Sequence, residues 1–237
     1  MKNWRKCALL CLLAVLILTV GAAACEGGEC LRRWEVDCIG EEPAEESVVL
    51  QETDLQGAEE ALVRGMREMR SSISVREYQI ALEDFPALNE HISSNNPDLF
   101  MVYGCGYGYS GNTVTTVYPK YIITPEEYPA AKAVYEGGVA AIVEQVDPGW
   151  SKEEQLLYIH DYIASHFEYD MRVYDPSVNP NSLIYDAYNF FRYGVGVCQA
   201  YTMVFMAAAR ELGFEVSYVE SGEMSHIWDL VELDGNW

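Results

Sequence analysis

Apolar positions along the chain fall first into helical stripes and then into strand-like alternation. Leu62, Met66 and Met69 share one face of a first helix, and Leu82, Phe85, Leu88 and Ile92 make the stripe of a second. Asn96-Pro97 stops that helix, because proline lacks an N–H and biases the residue before it away from helix. Residues 100–109 and 112–121 are rich in β-branched and aromatic side chains and predict a hairpin turning near Ser110-Gly111. Thr124-Pro125-Glu126-Glu127 is a capping box that starts a further helix, with Gly137-Gly138 predicting a break or fraying inside it. Ser151-Lys152-Glu153-Glu154 is a second capping box, launching a helix whose core face is Leu156, Ile159, Ile163 and Phe167. A helix-forming run at 202–212, closed by Gly213, leads into strands at 214–219 and 225–233. Asp234-Gly235 is a two-residue hairpin signal, and Asn236-Trp237 opens a third strand. Helices and antiparallel strands in separate runs describe an α+β fold.

The first residues belong to targeting. Met1-Lys2-Asn3-Trp4-Arg5-Lys6 is a basic start, residues 7–20 are apolar, and Ala22-Ala23-Ala24 is a small-residue cleavage site. The apolar run is too short for a comfortable membrane span. Cleavage after Ala24 leaves Cys25 at the new N-terminus, and this resembles a bacterial lipoprotein signal in which that cysteine is lipidated. The expected location is extracellular or at the cell surface, with membrane contact only through that lipid. Outside the cell Cys30 and Cys38 are close enough in sequence to close a small disulfide loop. Residues 25–57 are Gly- and Glu-rich, including Glu41-Glu42-Pro43-Ala44-Glu45-Glu46, and read as an acidic flexible tether. The predicted organisation is therefore a signal at 1–24, a tether at 25–57, an N-terminal α+β region at 58–147 and a core at 148–237.

Charge narrows the partners. With 37 acidic against 15 basic residues in 237 the net charge is −22, which repels nucleic acid and anionic lipid. Gly106-Tyr107-Gly108-Tyr109-Ser110-Gly111 matches a dinucleotide-binding spacing, but the β-branched run Thr113 to Val117 follows it where a helix is required, so it reads as a glycine-rich hairpin. His160 and His166, about 240° apart around one helix, do not make a paired metal site, and no cysteine or histidine spacing suits zinc.

The chemistry concentrates after Tyr193. Gly194-Val195-Gly196-Val197-Cys198-Gln199-Ala200-Tyr201 places Cys198 at the start of a helix, where partial positive charge favours thiolate over thiol. His226 opens the later strand. Period-two alternation sets His226, Trp228 and Leu230 on one face and Ile227, Asp229 and Val231 on the other. A cysteine at a helix start facing a histidine at a strand start is the layout of a thiol acyl-transfer site.

These residues resemble the transglutaminase-like superfamily, in particular its bacterial secreted members. The resemblance is carried by Gly194 to Tyr201, by His226-Ile227-Trp228-Asp229 and by Glu232-Leu233-Asp234-Gly235-Asn236-Trp237, with further likeness at Ile159-His160-Asp161-Tyr162, at Tyr169-Asp170 and at Asn96-Pro97-Asp98-Leu99-Phe100. It implies a papain-like fold, with a cysteine-bearing helix on an antiparallel sheet, and a Cys-His-Asp triad. Cys198 is then the nucleophile, His226 the base and the Cys198 backbone N–H the oxyanion donor. Trp228 and Tyr201 are candidates for shaping the substrate groove.

The family aspartate belongs a few residues past Trp237, so the resemblance reads this sequence as truncated at its C-terminus. Asp229 takes the place of a family Asn and faces away from His226. The implied activity is acyl transfer or hydrolysis at amide bonds of a protein or peptide substrate through a cysteine thioester, with no metal or organic cofactor. The alternative is a catalytically inactive cell-surface binding module on the same fold.

Overall fold

The computed structural model describes residues 34–42 and 53–237. The expected signal at 1–24, the lipidation site Cys25, Cys30 as a partner for Cys38, and most of the tether lie outside the described residues. Among those described, no helix is long and apolar enough to cross a membrane.

Helices and strands mix as the α+β expectation requires. The N-terminal part is built on a four-stranded sheet in the order β1-β3-β4-β2, with β1 Glu35–Glu41, β2 Ile73–Ser74, β3 Val102–Ser110 and β4 Thr113–Tyr121. The β3–β4 hairpin sits where alternation put it, turning at Gly111 with φ +60°. Helices α1 Leu55–Arg67 and α2 Phe85–Asn95 cover the sheet, burying Leu62, Met66, Phe85, Leu88 and Ile92. Met69 lies beyond the end of α1 with φ +56°.

Strand β1 corrects the tether expectation, because Glu35–Glu41 runs parallel to β3 within residues 25–57. A row of alternate glycines in β3, Gly104 with Gly106 and Gly108 of the rejected dinucleotide motif, makes room for it. A Cβ at Gly104 would overlap the Glu35 backbone, one at Gly106 the Ile39 side chain, and one at Gly108 the Glu42 carboxylate. Glu42 then closes the end of the strand, accepting hydrogen bonds from Thr115 Oγ1 (2.6 Å), Tyr118 OH (2.8 Å) and Thr116 Oγ1 (3.0 Å). These bonds, led by that from Thr115, hold the carboxyl below its ordinary range.

The first capping box makes both of its bonds, Thr124 N–H to Glu127 Oε2 and Glu127 N–H to Thr124 Oγ1, yet the regular helix α3 begins at Tyr128 and runs to Val143. It does not break at Gly137-Gly138. Gly138 is needed because the Phe191 ring packs where its side chain would be, whereas nothing lies within 4 Å of a Cβ at Gly137. Gly137→Ala should therefore stabilise by about 0.5–1 kcal/mol from helix propensity. Gly138→Ala should destabilise by about 1–3 kcal/mol through overpacking. Denaturant midpoints of the two variants check the pair, and equal shifts would contradict this packing.

The second capping box is complete and opens α4, Lys152–His166, with Ile159 and Ile163 buried. Short strands β5 Glu168–Tyr169 and β6 Val195–Gly196 pair in parallel around helix α5, Ala187–Tyr193. Helix α6, Cys198–Glu211, is buried on most sides, with Ala200, Ala207, Ala208 and Ala209 letting neighbouring helices approach closely. The antiparallel pair β7 Val216–Ser221 and β8 His226–Val231 packs on it. One continuous apolar core joins Leu62 and Phe100 of the N-terminal part to Phe190, Met203 and Val216 of the C-terminal part.

Candidate active site around Cys198

Cys198 is the first residue of α6, preceded at the N-cap by Val197, which has no side-chain oxygen to cap the helix. The approach to it is fixed from two sides. Glu168 N–H donates to Gly194 O (2.8 Å) and Asp170 N–H to Gly196 O (2.9 Å), while Val197 N–H donates to Ile184 O (3.1 Å). Gly194 ends α5 with φ +70°, a conformation suited to glycine. A Cβ at Gly196 would lie 2.7 Å from the Phe190 ring and 2.8 Å from Ala200 Cβ, so only glycine lets the chain turn this closely into the helix.

The Cys198 side chain is buried in a small cluster with Val173, Leu183, Tyr185, Val197 and Ile227, flanked by Tyr169, Tyr174 and Tyr218. Ile227 immediately follows His226, so the cluster draws the start of β8 against the start of α6. His226 is half-buried, and burial holds its imidazole below the ordinary value, which favours the neutral form. Its ring stacks with Trp228 at a centroid distance of 6.1 Å, on the strand face that alternation assigned to both.

Asp229 occupies the opposite face, as the alternation predicts. Its Oδ1 is buried with no hydrogen-bond partner. Loss of solvent raises its pKa well above the ordinary carboxyl range, and the charge of Arg210 only partly opposes this. Arg210 itself is committed to Asn95 O (2.5 Å) and Val216 O (2.7 Å), tying α6 to the end of α2 and to β7.

Tyr201 packs between Phe190 (4.7 Å between centroids) and Tyr169 (5.9 Å), and burial pushes its phenol up to about 12. After β8 the chain turns through Asp234 (φ +53°) and Gly235 (φ +83°), the two positive φ values that the Asp-Gly hairpin signal needs. Leu233 and Asn236 pair across this turn, and Lys152 Nζ meets Asp234 Oδ1 at 3.1 Å.

One supporting pair is visible in the sequence only as a family trait. Asp170 is 3 % exposed and takes a bidentate contact from Arg172, Nε at 2.8 Å and Nη2 at 2.6 Å. The Arg172 bonds hold its carboxyl below the usual range. Because Asp170 N–H also holds Gly196, this buried charge props the loop that presents Cys198. Arg172→Met should therefore lower stability by removing the partner of this carboxylate. The loss should ease as pH falls and Asp170 protonates, and chemical denaturation at neutral and acidic pH checks this.

A cleft whose lining includes Gln199 but not Cys198 or His226 lies between α6 and the N-terminal part of the chain. Tyr185, Asp186, Gln199 and Met203 line one side, and residues of the N-terminal part, among them Trp34, Tyr103 and Ile122, line the other. Nothing in the local sequence announced this cleft, because its walls come from segments far apart in the chain.

Residues 140–237 match the family model of the Transglutaminase-like superfamily. No curated protein matches the chain significantly. The matched segment holds Cys198 at its helix start and His226 at its strand start, and this transglutaminase-like match over residues 140–237 supports a papain-like cysteine-dependent enzyme family.

Proposed function

We propose that this is an exported cysteine-dependent acyl-transfer protein that acts on amide bonds of protein or peptide substrates at the cell surface. The observation that carries the reading is the position of Cys198 at the start of α6 within the matched segment, in the same buried cluster as the start of β8, which His226 opens. In this reading the Cys198 thiolate attacks an amide carbonyl, either a glutamine side chain or a peptide bond, and a C–S bond forms as the C–N bond breaks. His226 takes the thiol proton and returns it to the departing amine. The Cys198 N–H, at the positive end of α6, stabilises the oxyanion. The thioester then passes to water, giving hydrolysis, or to an amine, giving a crosslink, and we favour hydrolysis. The basic start, apolar run and Ala22-Ala23-Ala24 before Cys25 support export and a lipid anchor.

The test is capture of the acyl-enzyme. Glutamine-containing peptides are incubated with the protein, quenched in acid and mapped by mass spectrometry. An acyl adduct on Cys198, absent from Cys198→Ala, is expected, and an added primary amine should divert part of it into amide product. Product formation that continues unchanged in Cys198→Ala would overturn the reading.

A further inference from the structure

Cys198 is 4 % exposed, so the sulfur that the proposed chemistry needs is covered in this structure. Much of the cover comes from one stretch of chain. Val173 and Leu183 share the apolar cluster that holds Cys198, and Tyr174 and Val178 pack against that cluster. All four lie between β5 and α5, where the chain makes single 3-10 turns at Met171–Tyr174 and Pro180–Ser182. Connections longer than about 12–15 residues without a regular element of their own are uncommon in compact domains, and the ordered ones are usually functional.

The stretch is two-sided. Val173 and Leu183 are buried, whereas Met171 and residues 175–177 and 179–182 are exposed. Its backbone hydrogen bonds close locally: Val173 N–H donates to Asp170 O (3.1 Å), Asp175 N–H to Arg172 O (3.0 Å), Val178 N–H to Asp175 O (3.0 Å) and Leu183 N–H to Pro180 O (3.0 Å). Asp175 and Asn179 add side-chain turns, accepting from Ser177 N–H and Asn181 N–H at 2.9 Å each. The backbone is tied to the body at two roots, by Asp170 N–H to Gly196 O (2.9 Å) and by Val197 N–H to Ile184 O (3.1 Å). Between the roots these local bonds survive a movement that parts apolar side chains from the Cys198 cluster, so the movement strands none of their polar groups.

We propose that residues 171–183 are a flap that covers Cys198 in the resting protein and swings on its roots at Asp170 and Ile184 to admit substrate. The proposal rests on the reading of Cys198 as nucleophile, since a sulfur with no reaction to perform needs no access. Opening exposes Val173 and Leu183 to water, which keeps the closed form the more populated one. His226 lies on β8, outside the flap, so opening uncovers the thiol without displacing the base.

Iodoacetamide labelling of the reduced full chain at about pH 9, where an accessible thiol is largely thiolate, reads the flap directly. Rates at Cys198 are resolved by peptide mapping over a series of urea concentrations below the unfolding transition. Exposed Cys38 and Cys105, which is buried in the main core, serve as internal references. Cys198 is expected to label at least about 10-fold more slowly than Cys38 and at least about 10-fold faster than Cys105. Its rate should depend less on urea than that of Cys105, because a local opening exposes little surface. Leu183→Ala and the milder Val178→Ser remove apolar anchors of the closed form and are expected to raise the Cys198 rate by about 10-fold and about threefold. Ile92→Val, in the main core and outside the flap, weakens closed and open forms alike and should raise the rate of Cys105 alone. A wild-type Cys198 rate equal to that of Cys38, or one that tracks Cys105 across the urea series and in Ile92→Val, would overturn the flap. So would a Cys198 rate unmoved by Val178→Ser, which decides the matter if Leu183→Ala does not fold. Failure of the nucleophile reading looks different, since these rates would stand while no acyl adduct formed on Cys198.

Discussion

His226→Ala is expected to lower kcat/KM for amide acyl transfer by about 10³-fold, equivalent to about 4 kcal/mol of transition-state stabilisation, with little change in the melting temperature. His226 is half-buried at the first position of β8 and is not a member of the buried apolar cluster that holds Cys198 and Ile227, so its removal leaves that cluster in place. A proton must leave the thiol before attack and must reach the amine before it departs, and the same neutral imidazole serves both steps. Cys198→Ala should remove the activity altogether, since in this reading the thioester forms on the Cys198 sulfur. Initial rates on a glutamine-containing peptide, alongside thermal melts of both variants, measure this. A His226→Ala protein within tenfold of wild type would show that the imidazole takes no part in the proton transfers.

The second large effect concerns stability and pH. Asp229 sits under β8 against α6 with Oδ1 unpartnered, and its folded pKa is raised well above the ordinary carboxyl value. The folded state therefore keeps a proton that the unfolded chain releases. Between the two values the folded state binds one proton more, so this group's contribution to stability falls as pH rises, at about 1.4 kcal/mol per pH unit. Below the unfolded value that contribution is fully present. Asp229→Asn supplies a neutral side chain of the same shape and removes the dependence. Its stability relative to wild type, from chemical denaturation at a series of pH values above the ordinary carboxyl range, should rise with pH by up to that slope until the folded-state value is passed. A flat difference across the range would show that Asp229 is ionised in the folded protein.

Much of the frame is legible in the sequence because it depends on local rules. The Ser151 capping box, the turn at Gly111, the positive φ values at Asp234 and Gly235 and the helix start at Cys198 each follow from a few adjacent residues. The alternation along β8 also sorts Asp229 from His226 without any tertiary information. What escaped the sequence depends on distant partners. Strand β1 is polar and almost wholly exposed, so hydropathy reads it as tether. Its place is set by the glycine row of β3, by Lys120 pairing with Asp37, and by the hydroxyls of β4 that hold Glu42. Gly137-Gly138 predicts a helix break by propensity, but the Phe191 ring stacked on Gly138 overrides it. The cleft joins Trp34, Tyr103 and Ile122 to Tyr185, Gln199 and Met203, a juxtaposition that no periodicity encodes.

The distribution of cysteines makes the central claim open to one measurement. Among the described residues Cys38 is exposed, Cys105 is buried with its thiol pushed up to about 12 by loss of solvent, and Cys198 opens α6. Alkylation by iodoacetamide, followed against pH and resolved by peptide mapping, reads all three thiols in one experiment. Cys105 should stay unlabelled in the folded protein, and Cys38 gauges the rate of an accessible thiol. Paired with His226 at the positive end of the helix, Cys198 should reach half its maximal rate below pH 7, and His226→Ala should move that midpoint towards about 8.5. Superimposable Cys198 profiles from the wild-type and His226→Ala proteins would contradict the pairing on which the proposed chemistry stands.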